Sequence, residues 1–438
     1  MYLIPLLKSR IIALKQNSNL RNGLLFSAFS FINKGFSFIL ILILVNFISP
    51  ADYGLLNLFG TVVMVIGYVM ALSTDNYLSV SFFNDGELGV KNTVTGVSFV
   101  SILVSILLIS ILLLFGEKIS SLLQLPLTVL YLAISISFFS VFNYLNLDYF
   151  RIKQNLRNYG LLSCSNALLN LIVSIVLVKT LSYGWYGRVY AQSGCCLLFG
   201  VIGIVFFIFN RYYKNLDFKY LKSMILWGLP LIPHVATNFL RQGCDRYIIN
   251  YFHTLDDVGY FSFALNLANI IILIGLGFNQ SNSVDIYKVL GDKSLDPKDK
   301  FKRIYAQNRP IKKIYIISSI IIPIITCAAI PVFLPKYNNC IGYIPILSVC
   351  AFLNCMYFLY TNFLFFYKKT KHIMYVTLGS SIVHLTLSLL FTRYSLYCTS
   401  VIYCVSQLLI LIFIRKLSLS VLKEHNIVEK DEIRSIRF

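Results

Sequence analysis

The chain is a succession of long apolar segments separated by short polar breaks. A helix of about 20 apolar residues spans the core of a bilayer and satisfies its own backbone hydrogen bonds, which an irregular chain cannot do. Only 13% of the 438 residues are charged, whereas a soluble domain carries about 25%, so lipid is the expected surrounding. Apolar length and breaker residues predict twelve spans, at 24–48, 55–81, 94–115, 121–147, 161–181, 185–209, 224–251, 259–284, 314–334, 341–366, 373–391 and 396–414.

Lysine and arginine are divided unevenly between the two sides of these spans. Of 38 such residues, 30 lie in the termini and loops of one side and three lie within spans. The other side holds five, namely Lys118, Lys179, Arg188, Lys336 and Arg393, with Lys179 and Arg188 counted there because they lie near the outer ends of their spans. Because cytoplasmic loops carry the basic excess, we expect both termini and the strongly basic loop 285–313 in the cytoplasm. The net charge of +20 then reflects membrane topology, and no nucleic acid is expected as a partner.

Two short stretches indicate an internal repeat. Phe47-Ile-Ser-Pro-Ala-Asp-Tyr-Gly54 follows the first span and Phe252-His-Thr-Leu-Asp-Asp-Val-Gly259 follows the seventh, with Phe, a hydroxyl residue, Asp and Gly at matching positions. Short polar turns also match by chance, which is the alternative. A true repeat would give two halves of the same orientation, because six spans separate the copies.

The predicted fold is therefore an all-α integral membrane protein of about 12 transmembrane helices, in two six-helix bundles around a central cavity. The predicted bundles cover 24–209 and 224–414, joined by a cytoplasmic linker at 210–223. The N-terminal segment 1–23 and the tail 415–438 are both expected in the cytoplasm.

Five charged side chains fall within the predicted spans apart from Lys179 and Arg188, which lie at the outer ends of theirs. Charged residues within spans usually face a cavity or a partner. Lys34 lies ~18 Å from the cytoplasmic start of its helix and is predicted to face a cavity, the alternative being a pair with a carboxylate. Arg241 and Asp245 are four residues apart and can pair on one helical face. Arg246 points elsewhere and can reach the periplasmic head groups. Asp75, near the inner end of span two, is either functional or solvated.

Span seven also contains Pro230 and Pro233, followed by His234. Proline inside a helix removes a backbone donor and bends the helix, so the pair is a candidate hinge, the alternative being a static, packed kink. His234 and His384 are interpreted first as hydrogen-bonded interior residues, with His234 also a candidate for ion coupling. The ten cysteines form no C-x-x-C pair, so neither a metal nor a redox site is expected.

Several motifs resemble those of Wzx-type polysaccharide flippases, of the multidrug/oligosaccharidyl-lipid/polysaccharide exporter superfamily. The stretches Gly228-Leu-Pro-Leu-Ile-Pro233, Asp245-Arg246-Tyr-Ile-Ile and Asp257-Val-Gly-Tyr-Phe261 resemble the family's seventh-helix signature. The first copy of the repeat resembles its first periplasmic turn, and Asp148-Tyr-Phe-Arg151 with Asn158-Tyr-Gly160 resembles its loop between helices four and five. The resemblance covers nearly the whole chain.

The resemblance implies a bacterial inner-membrane transporter. Its substrate would be an oligosaccharide repeat unit on undecaprenyl pyrophosphate, moved from the cytoplasmic to the periplasmic leaflet. Lys34, Arg241 and Arg246 would be candidates to bind the pyrophosphate, while Asp75, Asp245 and His234 would support them or couple an ion. Expected partners are the lipid-linked oligosaccharide, membrane lipids, a polysaccharide polymerase and a chain-length regulator. No cofactor is expected apart from a coupling ion, H⁺ or Na⁺.

Two other classes of protein compete with this interpretation. An ion-coupled drug or cation exporter of the same superfamily would need a membrane-embedded acid, for which Asp75 is poorly placed. An O-antigen polymerase or ligase would be an enzyme working on a long periplasmic loop, whereas the longest loop here is basic and predicted to be cytoplasmic. The sequence contains no phosphate loop of the G-x-x-x-x-G-K-[ST] type and no evident catalytic motif, so we predict a protein that is not an enzyme.

Overall fold

The computed structural model describes residues 18–229, 231, 232, 237 and 239–427, with side chains from residue 25 onward except residue 27. Every regular element in these ranges is helical. The thirteen α-helices described are α1 (Ser18–Phe47), α2 (Pro50–Met70), α3 (Tyr77–Leu123), α4 (Leu127–Ile152), α5 (Leu156–Ile175), α6 (Gly184–Phe209), α7 (Phe218–Gly228), α8 (Cys244–Phe252), α9 (Leu255–Gly291), α10 (Pro297–Phe333), α11 (Tyr343–Phe366), α12 (Thr370–Phe391) and α13 (Leu396–Glu424).

Eleven described helices are long and apolar enough to cross a membrane. They account for every predicted span except the seventh, so the chain is a multi-pass membrane protein. Span seven is interrupted: α7 ends at Gly228, a π-helical turn occupies Phe239–Gly243, and α8 follows it. The predicted hinge prolines Pro230 and Pro233, together with His234, lie outside the described residues.

The turn after the second span lies earlier than hydropathy predicts. Helix α2 ends at Met70, and Leu72 and Ser73 adopt positive φ before a short 3₁₀ turn at Thr74–Asn76. The predicted break at 82–93 is instead helical, as part of α3, with a kink at Gly86, whose φ of 60° suits glycine. A polar stretch can continue a helix at the membrane surface, so loss of hydropathy does not mark the end of a helix.

The helices form two compact units. The first comprises Met1–Ile48 and Leu58–Ala236, and the second comprises Ser49–Asn57 and Thr237–Phe438. Within the first, α4 packs on α3 and α6; within the second, α11 packs on α10 and α13. These are the helices that a six-span repeat would make equivalent, so each unit repeats the packing order of the other.

The two copies of the repeated motif pack against each other within the second unit. A Cβ atom on Gly54 would lie 2.3 Å from the carbonyl oxygen of Leu255, and one on Gly259 would lie 2.0 Å from that of Pro50. Only glycine permits so close an approach of two helices. The matching hydroxyl residues, Ser49 and Thr254, each accept a hydrogen bond from the backbone N–H three residues on, which caps α2 and α9. The sequence repeat thus encodes a helix start and a helix crossing.

Candidate functional site

The first unit contains a cavity of about 390 Å³ whose lining is rich in side-chain amides. Four helices supply its polar side chains, and we call this cavity the amide pocket. Its polar lining is Asn33 and Ser37 from α1, Ser140, Asn143 and Tyr144 from α4, Ser163, Asn166 and Asn170 from α5, and Arg188 and Gln192 from α6.

Helical periodicity places these side chains on common faces. On α5 the lining residues Ser163, Asn166 and Asn170 are three and four positions apart, and on α6 Arg188 and Gln192 are four apart. Residues at this spacing project from one side of a helix. Because polar groups at membrane depth avoid lipid, these faces turn inward and enclose a polar volume within the bundle.

Arg188 is the one charged residue that lines the amide pocket. Its Nη1 donates hydrogen bonds to Oδ1 of Asn170 and, over 3.1 Å, to the hydroxyl of Ser174. Asn33 donates through Nδ2 to the hydroxyl of Ser163. The Oδ1 atoms of Asn33 and Asn143 are buried without a hydrogen-bond partner in the structure.

The second unit contains a smaller polar cavity of about 100 Å³, which we call the arginine pocket. Its polar lining is Arg241, Gln242, Asn269, Asn354, Tyr403 and Gln407. Arg241 and Gln242 belong to the π-helical turn, and the others belong to α9, α11 and α13. π-Helical turns occur frequently at functional sites, and this one carries a predicted substrate-binding residue.

The four-residue spacing suggested that Arg241 pairs with Asp245, but the structure shows no such pair. Its Nη1 donates to Oε1 of Gln407 over 3.4 Å, and its buried Nε has no hydrogen-bond partner in the structure. The expected register assumes a regular α-helix, whereas the π-helical turn at Phe239–Gly243 changes the rotation between the two side chains.

Asp245 instead pairs with His384 of α12. The carboxylate Oδ2 lies 2.8 Å from Nε2 of the imidazole, whose Nδ1 lies 2.9 Å from the hydroxyl of Ser406. Both Asp245 and His384 are fully buried, so His384 is a hydrogen-bonded interior residue as predicted. No three His, Cys, Asp or Glu side chains of the described ranges converge on a site that could hold a metal ion.

The other predicted site residues occupy different surroundings. Arg246 is half-buried, with Asp245 and the phenols of Tyr53 and Tyr403 in its electrostatic environment. Lys34 is exposed, does not line the amide pocket although its neighbour Asn33 does, and has no ion-pair partner in the described part of the first unit. Asp75 lies in the 3₁₀ turn after α2, where Asn76 donates to it over 3.4 Å. Arg241, Asp245 and Arg246 therefore lie in the second unit, whereas Lys34 and Asp75 lie in the first.

The amide pocket is absent from the sequence-based predictions. They singled out charged side chains, two prolines and a histidine, and they counted Arg188 with the basic residues of the outer side. The signal that could have revealed the pocket is the recurrence of Asn, Gln and Ser at intervals of three and four within otherwise apolar spans.

Comparisons with known proteins identify the family of this chain. Residues 19–284 match the family "Polysaccharide biosynthesis protein". Protein 1 of the Lsg locus of Haemophilus influenzae is 22% identical over 367 residues, which is 79% of this chain and 84% of that protein. The family match covers more than half of this chain, and the match to the Haemophilus protein covers most of both proteins.

The fold is that of known transporters. The inward-facing structure of a multidrug resistance MATE family transporter of the MOP superfamily superposes with a TM-score of 0.73 at 14% identity, over 90% of this chain and 96% of that one. The outward-facing structure of such a transporter gives 0.57 at 16% identity, over 92% and 96%. The chain therefore belongs to the polysaccharide biosynthesis protein family and has the fold of MOP-superfamily transporters.

Proposed function

We propose that the protein transfers a lipid-linked oligosaccharide from the cytoplasmic to the periplasmic leaflet of the bacterial inner membrane. The observation that carries this proposal is the amide pocket, a volume lined by sugar-compatible groups inside membrane-spanning helices. Membership of a polysaccharide biosynthesis family supports the same substrate class.

The physical problem for such a substrate is its oligosaccharide. A lipid tail is stable in the bilayer, but each sugar hydroxyl loses its hydrogen bonds in hydrocarbon, at a cost of several kcal/mol. Asn, Gln and Ser side chains can replace water as donors and acceptors. Four asparagines, one glutamine and three serines line the amide pocket, so it suits a polyol.

The carrier's diphosphate needs cations, and Lys34, Arg241 and Arg246 remain our candidates for that role. Lysine and arginine bind phosphate oxygens through charge-assisted hydrogen bonds. Arg241 has a donor, Nε, that is buried without a hydrogen-bond partner, which supports its place among the three.

An exporter of cationic drugs, the nearest alternative, would need an acidic binding site. The residues that line the amide pocket include one guanidinium and no carboxylate, so the pocket repels a cation. In the second unit, the buried carboxylate of Asp245 is engaged by His384. These features favour the oligosaccharide over a drug cation.

Ion coupling and protein partners remain predictions. A coupling H⁺ or Na⁺ would require a titratable or oxygen-rich site, and Asp245 with His384 is the candidate of known geometry, alongside Asp75 and His234. A polymerase and a chain-length regulator would act on the transported product in the periplasm.

The proposal is tested by deleting the gene and locating its substrate. We expect lipid-linked repeat units to continue to form but to remain on the cytoplasmic leaflet, inaccessible to a periplasmic sugar-modifying reagent. A plasmid-borne copy should restore access. If the repeat units reached the periplasm but stayed unpolymerised, the protein would be a polymerase and the proposal would fail.

A further inference from the structure

The amide pocket contains buried hydrogen-bond acceptors for which the protein supplies no donor. The Oδ1 atoms of Asn33 and Asn143 have no hydrogen-bond partner, and Asn143 is only 6% exposed. A buried carbonyl oxygen without a donor is destabilising, so natural structures seldom retain one without a reason. Both oxygens are shielded from the cavity in this structure, so a ligand that donates hydrogen bonds would satisfy them once the two amide groups rotate toward it.

This requirement distinguishes between the two polar parts of the proposed substrate. An ionised diphosphate offers only acceptor oxygens, so it cannot satisfy an amide oxygen. A sugar hydroxyl both donates and accepts, as does the N–H of an acetamido sugar. The orphaned acceptors therefore match the sugar and not the diphosphate.

The single cation of the pocket can also donate to a sugar. The two hydrogen bonds of Arg188 in the structure both use Nη1, which is directed at Asn170 and Ser174. A guanidinium has five N–H donors in a fixed fork, so other donors of Arg188 remain for oxygen atoms of a ligand. Phe36 and Tyr144 also line the pocket, and aromatic rings suit the apolar C–H side of a sugar ring.

We infer that the amide pocket binds the sugar portion of the lipid-linked substrate and that Asn143 is a specificity-determining residue there. This inference rests on the proposed function. The pocket forms hydrogen bonds to hydroxyl and amide groups of the ligand. The oligosaccharide, and not the lipid carrier, therefore determines the affinity of the first unit for its substrate. A volume of about 390 Å³ lies in the usual range for small-molecule sites.

The experiment compares two lipids on the purified full-length protein in nanodiscs. One lipid is undecaprenyl diphosphate, and the other is the lipid-linked oligosaccharide extracted from cells that lack the protein. We expect the glycosylated lipid to bind at least about tenfold more tightly than the bare carrier.

Asn143→Leu tests the residue itself. Replacing a buried, unsatisfied amide by an apolar side chain of similar size should leave thermal stability unchanged or raised. The tenfold preference for the glycosylated lipid over the bare carrier should fall to about twofold or less. Asn92→Leu is the matched control, because Asn92 also has a buried unpartnered Oδ1 in the first unit but does not line the pocket. That variant should keep the full preference.

Each outcome separates this inference from the proposed function. If wild-type protein binds both lipids equally, the sugar assignment is wrong while lipid transport stands. If Asn143→Leu keeps the preference at unchanged thermal stability, Asn143 does not determine specificity. If Asn143→Leu lowers thermal stability and leaves the preference intact, Asn143 is structural. If neither lipid binds, the proposed function itself is wrong.

Discussion

Lys34 lies on α1 as an exposed cation beside the amide pocket, without an ion-pair partner in the described part of the first unit. A cation predicted at this depth needs water or an anion nearby. We expect Lys34→Ala to abolish or sharply reduce surface polysaccharide at a normal protein level, and Lys34→Arg to retain part of it, because a diphosphate requires charge more than shape.

Protein level and surface polysaccharide must be measured side by side for this test. Lys118→Ala changes an exposed lysine near the end of α3 and should leave both unchanged. A parallel loss of protein and polysaccharide in Lys34→Ala would instead indicate a structural role.

The Asp245–His384 pair belongs to the residue scale as well. Removing one partner of a buried pair leaves an unsatisfied polar group and typically costs about 3–5 kcal/mol. We expect Asp245→Leu and His384→Leu each to lower the unfolding temperature of the protein in detergent. The double variant should recover most of the loss, because two apolar groups replace the pair.

The double variant also tests ion coupling. If the pair binds the coupling proton, the folded double variant should transport at a rate that no longer responds to an imposed pH gradient. An unchanged response would exclude this pair as the coupling site.

At the scale of the helix, the crossing of α2 and α9 depends on glycine. A methyl group at residue 259 would meet the carbonyl oxygen of Pro50, and forcing such an overlap typically costs about 1–3 kcal/mol. We therefore expect Gly259→Ala to lower the unfolding temperature. Gly277→Ala lies on the same helix with no atom within 4 Å and should be neutral or slightly stabilising. Equal unfolding temperatures for both variants would contradict this account of the repeat.

Sequence reasoning located the spans because apolar length is a local property of the chain. It placed helix ends less accurately, as at the predicted break 82–93, because polar residues continue a helix at the membrane surface. The pair of Asp245 and His384 could not be predicted, since it joins helices far apart in sequence and depends on their packing. The register of Arg241 was missed for a different reason, because hydropathy carries no sign of a π-helical turn.

For the whole molecule, the distribution of basic residues predicts the orientation. We expect reporter fusions after Arg21, within 285–313 and after Arg415 to report a cytoplasmic location, and fusions at Pro50, Asp257 and Lys336 to report a periplasmic one. A periplasmic signal from 285–313 would reverse the topology and revive the polymerase alternative.

The central claim is that this chain alone moves a lipid-linked oligosaccharide across a bilayer. The most direct measurement reconstitutes the purified protein in liposomes that contain the lipid-linked oligosaccharide extracted from cells lacking it. A membrane-impermeant sugar-oxidising reagent then reports the fraction on the outer leaflet over time. We predict that the inward-facing fraction becomes accessible in proteoliposomes and stays protected in protein-free liposomes. The account would be contradicted if the inward-facing lipid-linked oligosaccharide stayed equally protected in proteoliposomes and in protein-free liposomes. Transport of a drug cation by the same proteoliposomes would then identify an exporter of drugs.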